Sequence, residues 1–134
     1  MAADDDYFFV DVSKAAKALT DRGVVVSTGA HGQLHGMAEH WETWMMAMGG
    51  MTNHEALRAA TLNGAKALGL DGDIGSLVNG KLADMIVLDA NPLSNIRNSA
   101  SVRYVMVNGR MFDAATMAQI GNHPAPAPKP TWRE

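Results

Sequence analysis

Three of the five histidines, His31, His35 and His40, fall inside "STGAHGQLHGMAEHWE", Ser27 to Glu42, directly after an apolar run. Imidazole either binds zinc or moves a proton near neutral pH, so the cluster raises both chemistries. His31 and His35 are four apart, which on a helix would set them on one face. Gly32 and Gly36 oppose a helix there, and no His-Glu-x-x-His pattern is present. The three residues therefore do not make a local metal motif. His35 reads as a loop residue facing solvent or substrate space. His40, beside Trp41 and Glu42, reads as a packed histidine held by Glu42 or by backbone.

Other chemistries find no support. The glycines of "DGDIG" are not followed by the Gly-Lys-Ser/Thr of a phosphate loop. Ser13, Ser27 and Ser76 lack the Gly-x-Ser-x-Gly setting of a hydrolase nucleophile. With no cysteine, the chain has no disulfide, thiolate ligand or thiol nucleophile. A net charge of −3 with no basic block argues against a nucleic-acid partner. No apolar run is long enough for a membrane span, and "MAADDDYFF" is acidic where an export signal would be basic; the compartment stays open. At 47% hydrophobic and 19% charged, the 134 residues read as globular.

The elements that must position the histidines follow from periodicity. Val12, Ala15, Ala16 and Leu19 recur at helical spacing over Val12–Arg22, and Gly23 is a natural stop. "GVVVST" is a continuous β-branched run, the pattern of a strand buried on both faces. Leu34, Met37, Trp41, Trp44, Met45 and Met48 are spaced like one face of a second helix, which Gly49-Gly50 ends. Thr52 to Glu55, "TNHE", is a capping box opening a third helix with Leu57, Thr61, Ala65 and Leu68 on one face, closed by Gly69. "MIVL" reads as a strand, and "VRYVMVNGRMF" as a hairpin turning on Asn108-Gly109. Lys81 and Asp84 in "GKLAD" are expected to hold a turn rather than to react. Pro124, Pro126, Pro128 and Pro130 alternate along an extended tail. One buried parallel strand has no sheet without neighbours.

Four stretches carry a resemblance: "GAHGQLHGMAEHWE", "MTNHEALRAATLNGAKALGL", "IGSLVNGKLADMIVLDANPL" and "VRYVMVNGRMF". Through them the chain resembles the C-terminal end of the metal-dependent amidohydrolase superfamily. Within it, the chain is most similar to amidohydrolases associated with Tol-type β-propeller repeats. The resemblance implies an α/β fold: the last βα part of a (β/α)₈ barrel plus the C-terminal strands of the small β-sandwich, incomplete as a barrel. It divides the chain into a lead-in (1–10), a barrel segment (11–70), β-sandwich return strands with the hairpin (71–118) and a Pro-rich tail (119–134).

By the same resemblance "GVVVST" is the eighth strand, and His31 stands where the family has the aspartate that orients the metal-bound water. His31 is then the candidate catalytic residue and metal ligand, and Gln33 and His35 are candidate substrate contacts. The implied cofactor is a divalent metal, zinc first, in the intact fold. The implied activity is hydrolysis of C–N bonds in amides or cyclic amides, incomplete in this chain alone. The implied partner is the missing N-terminal barrel half, or a second copy of the chain. A non-catalytic module that self-associates or binds a partner is the alternative.

Overall fold

A computed structural model of the chain describes residues 8–31, 34, 36–121 and 123–129. Helix α1 spans Phe9–Asp21, three residues earlier than the periodicity predicts. It ends as a Schellman turn: Gly23 N–H donates to Thr20 O and Val24 N–H to Leu19 O, with Gly23 at φ 81°. Helix α2, Met37–Met48, closes in the same way, with Gly50 N–H on Ala47 O and Met51 N–H on Met46 O.

The capping box is present as read. Glu55 N–H donates to Thr52 Oγ1 (3.2 Å) and Thr52 N–H to Glu55 Oε2 (2.7 Å). It starts α3, Asn53–Arg58. The third predicted helix is continuous but not uniform: a π-helical turn, Ala59–Asn63, separates α3 from α4, Gly64–Ala67. Lys17 of α1 reaches the same box, with Nζ paired to Asp21 and 3.9 Å from Glu55 Oε1.

The buried faces differ from the expected ones. On α1 the buried residues are Ser13 and Ala16, while Val12 and Leu19 are exposed. On α2 they are Thr43 and Met46, with Met37, Trp41 and Met48 exposed. Along the third helix they are Ala56, Ala59 and Ala65, and Leu68 is 73% exposed. The cause is close approach: small side chains let the helices meet at short range, and Ala16, Met46, Met51 and Ala56 form the core with Val26, Ala47 and Ile96 around it. Of the apolar side chains expected to be buried, Val12, Leu19, Met37, Trp41, Met48 and Leu68 point outward. Among the described residues no large side chain is fully buried.

The sheet is antiparallel, in the order β1 (Met85–Leu88), β2 (Val102–Val107), β3 (Arg110–Asp113), β4 (Gln119–Ile120). "MIVL" is β1, as predicted. The hairpin falls where Asn108-Gly109 placed it, Val107 opposite Arg110, with φ 48° and 76° at the two turn residues, as a type I′ turn requires. Asp84 accepts from Asn108 N–H, and Lys81 Nζ donates to Asp71 O, Ile74 O and Ser76 Oγ. Both residues therefore hold turns, as expected. The tail, expected to be extended, folds back on itself instead: Gln119 and Ala125 form an antiparallel bridge with two backbone hydrogen bonds of 2.9 and 3.0 Å, and no helix forms among its described residues. A 3₁₀ turn, Ile96–Ala100, joins sheet to helices.

Candidate functional site

Residues 24–31 carry His31, and here the largest departure occurs. The run expected to be a buried strand makes no ladder among the described residues, and Val24 and Val25 are 48% and 52% exposed. A β-branched run favours extended backbone, but a ladder needs a strand alongside, and the described residues bring none there. Only Val26 turns inward, against the core.

The segment is held by side chains and by the π turn instead. Asn63 Nδ2 donates to Val26 O (2.7 Å), and Thr28 N–H donates to Ala59 O (3.3 Å). Thr28 Oγ1 donates to Glu39 Oε1, and Gly29 N–H donates to Glu42 Oε2 (3.0 Å). Glu39 and Glu42 lie three apart on the first half of α2, with Thr28 and Gly29 adjacent on the loop. Neither glutamate stands out in the sequence as a site residue. The available signal was a pair of acids at i, i+3 directly after a loop that needs acceptors.

His31 is exposed at the lip of an open groove of about 380 Å³. Gly29 and Ala30 form its near side, and Ala38, Trp41, Glu42 and Met45 of α2 its far side. Because Glu42 is engaged by Gly29, the far wall is mainly apolar. Gln33 and His35, the candidate substrate contacts, lie outside the described residues.

His40 is placed elsewhere, and its partner is neither Glu42 nor backbone. Its Nδ1 lies 3.1 Å from Ser99 Oγ, while Trp44 Nε1–H donates to the same oxygen (2.9 Å). The Ser99 oxygen has two lone pairs and one proton, so beside the Trp44 bond it can serve His40 Nδ1 as donor or as second acceptor, according to the ring's tautomer. Ser99 is only 4% exposed, and the Arg97 guanidinium stacks 4.8 Å from the centre of the Trp44 ring. This is a joint between α2 and the 3₁₀ turn. The spacing of His40 and Trp44, one helical turn, was its only trace in the sequence.

A metal centre does not form from these side chains. Among the described residues no three histidine, aspartate or glutamate groups come together as a metal site would require. His31 is a single donor, and the carboxylates of Glu39 and Glu42 are committed to Thr28 and Gly29.

The profile of the amidohydrolase family matches residues 2–112. A 5-methylthioadenosine/S-adenosylhomocysteine deaminase of Syntrophobacter fumaroxidans is 40% identical over 73 residues, 46% of this chain and 17% of that protein. The guanine deaminase of Escherichia coli is 46% identical over 57 residues, 41% of this chain and 13% of its own length. Among solved structures, a Xaa-Pro dipeptidase with methionine bound in its active site superposes with a TM-score of 0.69 at 30% identity. That match covers 77% of this chain and 26% of the dipeptidase. The chain thus spans under a third of each of these relatives, and its mixed helix-and-sheet arrangement is like part of the dipeptidase's. With most of its residues inside one family profile, the chain belongs to the amidohydrolase family.

Proposed function

We propose that the chain is the C-terminal part of a metal-dependent hydrolase that acts on C–N bonds of amides or cyclic amides. The family match over residues 2–112 carries this reading. In it, "GVVVST", residues 23–28, is the eighth strand of a (β/α)₈ barrel, and residues 71–118 belong to the small β-sandwich, with the Tol-type β-propeller amidohydrolases as the subgroup. Deaminases and a dipeptidase among the relatives support C–N chemistry as the class. Exposed Val24 and Val25, beside exposed Leu19 of α1, support a barrel partner over this face. His31 then faces the reacting centre, where an imidazole handles a proton, and Gln33 and His35 touch substrate.

The divalent metal of the family, with zinc the first candidate, needs three or four protein ligands. This chain offers His31 as one, so the centre is completed by donors outside its described residues.

The same exposed apolar side chains favour a second reading, a non-catalytic module that pairs with a second copy of itself or with a partner. Light-scattering mass, metal content and turnover of N-acyl amino acids and cyclic amides separate the two. The measurements are made on the chain alone and with a companion polypeptide that supplies the rest of the barrel. Turnover in the complex, reduced about a hundredfold or more in His31→Ala, is expected from loss of a proton-handling group. Unchanged turnover in that variant removes His31 from the mechanism. A metal-free homodimer that neither binds the companion nor hydrolyses any amide supports the second reading.

A further inference from the structure

Thr28 and Gly29 present two successive donors, a hydroxyl and an amide N–H, and α2 answers them with two carboxylates one turn apart. Like charges at i, i+3 on a helix repel, so the pair is favourable only with donors to compensate it. An ionised carboxylate accepts and cannot donate, so the polarity of the contact is fixed. These bonds replace the ladder that residues 24–31 lack, together with Asn63 on Val26 O and Ala59 O on Thr28 N–H. Gly29 N–H makes the last backbone-donor hydrogen bond before His31 among the described residues. From there His31 is two Cα steps away, at most about 7.6 Å. The helix that supplies both carboxylates also supplies the far wall of the groove, Ala38, Trp41 and Met45.

We infer that Glu39 and Glu42 are positioning residues: they tie the 28–29 backbone to α2 and so fix His31 against the wall of its groove. The inference rests on the reading of His31 as a site residue only for its functional meaning; the geometry stands apart from it. The strand end of the site is set by side chains of one helix, and a change of either carboxylate moves His31 without touching it.

The experiment is nuclear magnetic resonance on the full chain with ¹⁵N labelling and ¹³C-labelled histidine. In Glu42→Ala the Gly29 amide is expected to exchange with deuterium about tenfold faster or more, the loss of a bond to a charged acceptor. The His31 ring resonances move toward those of an unstructured peptide in Glu39→Ala and Glu42→Ala. Glu42→Gln, which keeps an acceptor oxygen, restores the Gly29 protection. The Trp44 Nε1–H resonance reports that the α2 joint is intact. Where an alanine variant loses that resonance, Glu42→Asp takes its place, keeping the charge and shortening the reach. Wild-type Gly29 exchange and His31 shifts in variants with an intact Trp44 signal overturn the inference. The two readings fail separately. Turnover unaffected by His31→Ala removes the functional role while the clamp stands, and a His31-dependent turnover with an unaltered Gly29 amide in Glu42→Ala removes the clamp alone.

Discussion

Gly49 lies against the backbone of Ser13. A Cβ built on Gly49 would sit 2.3 Å from the Ser13 carbonyl carbon and 2.5 Å from its oxygen and its own Cβ. Gly49 has an ordinary helical conformation, φ −75°, so alanine is conformationally welcome there and only the contact forbids it. Ser13 meets the approach with a hydroxyl turned back to Phe9 O at 2.7 Å, which keeps the polar group satisfied while buried. Gly49→Ala is therefore expected to separate α1 from α2 and to cost about 3 kcal/mol or more, since the opposing atoms are backbone. Urea midpoints of wild type and variant measure it.

Gly109 predicts the opposite kind of loss. A Cβ there meets nothing within 4 Å, but φ is 76°. Gly109→Ala should cost about 1–2 kcal/mol from conformation alone. The same unfolding comparison checks it, and the hairpin pairing of Val107 with Arg110 should persist in cross-strand nuclear Overhauser effects.

The Ser99 joint makes a third prediction. Ser99→Ala removes the acceptor of Trp44 Nε1–H and the partner of His40 Nδ1 at a site 4% exposed. Leaving two half-buried polar groups without a partner costs about 1–3 kcal/mol. Loss of the downfield Trp44 indole resonance should accompany the lower unfolding midpoint.

Acid should weaken the fold through two carboxylates. The Thr52 N–H, and after it the Thr52 hydroxyl, hold the Glu55 carboxyl below its ordinary pKa. The Thr116 hydroxyl, and after it the Thr116 N–H, do the same for Asp113. A depressed folded-state pKa contributes stability that is present above the unfolded-state value and lost as pH falls through the folded one. Stability should accordingly drop as pH is lowered through the carboxylate range. The drop should be shallower in Glu55→Gln and in Asp113→Asn, as urea midpoints taken from pH 7 downward would show. A slope unchanged by both substitutions counts against the assignment.

What the sequence revealed was set by near neighbours. The capping box, the glycine helix stops, "MIVL" and the Asn108-Gly109 turn each depend on residues within a few positions, and all stand where they were read. Which helix face is buried depends on how closely two helices meet. Ser13 and Gly49, too small to register in a hydrophobic pattern, decide it over Val12 and Leu19. The short β4 and the 3₁₀ turn were invisible for a similar reason, since their partners, Met111, Phe112 and Trp44, are supplied by other elements. "GVVVST" shows the limit most clearly: residue type encodes the preference for extended backbone, but a ladder belongs to the pair. For the site, the loop position of His31 was legible, and the two glutamates that hold its loop were not.

The π turn at Ala59–Asn63 carries a consequence for the chain's tolerance of length change. Its one extra residue per turn aims Ala59 O at Thr28 and Asn63 at Val26 while keeping Ala65 beneath Gly75, where an added Cβ would come within 2.7 Å of the alanine's own. Removing a single residue from this stretch would close it as a plain α-helix while the residues before and after it kept their register, because a π turn absorbs its extra residue within itself. Ala65 would stay beneath Gly75, but the wide turn that aims Ala59 O and Asn63 at residues 26–28 would be gone. The number of residues here is thus tied to the segment that carries His31, and the passage into the sheet is indifferent to it.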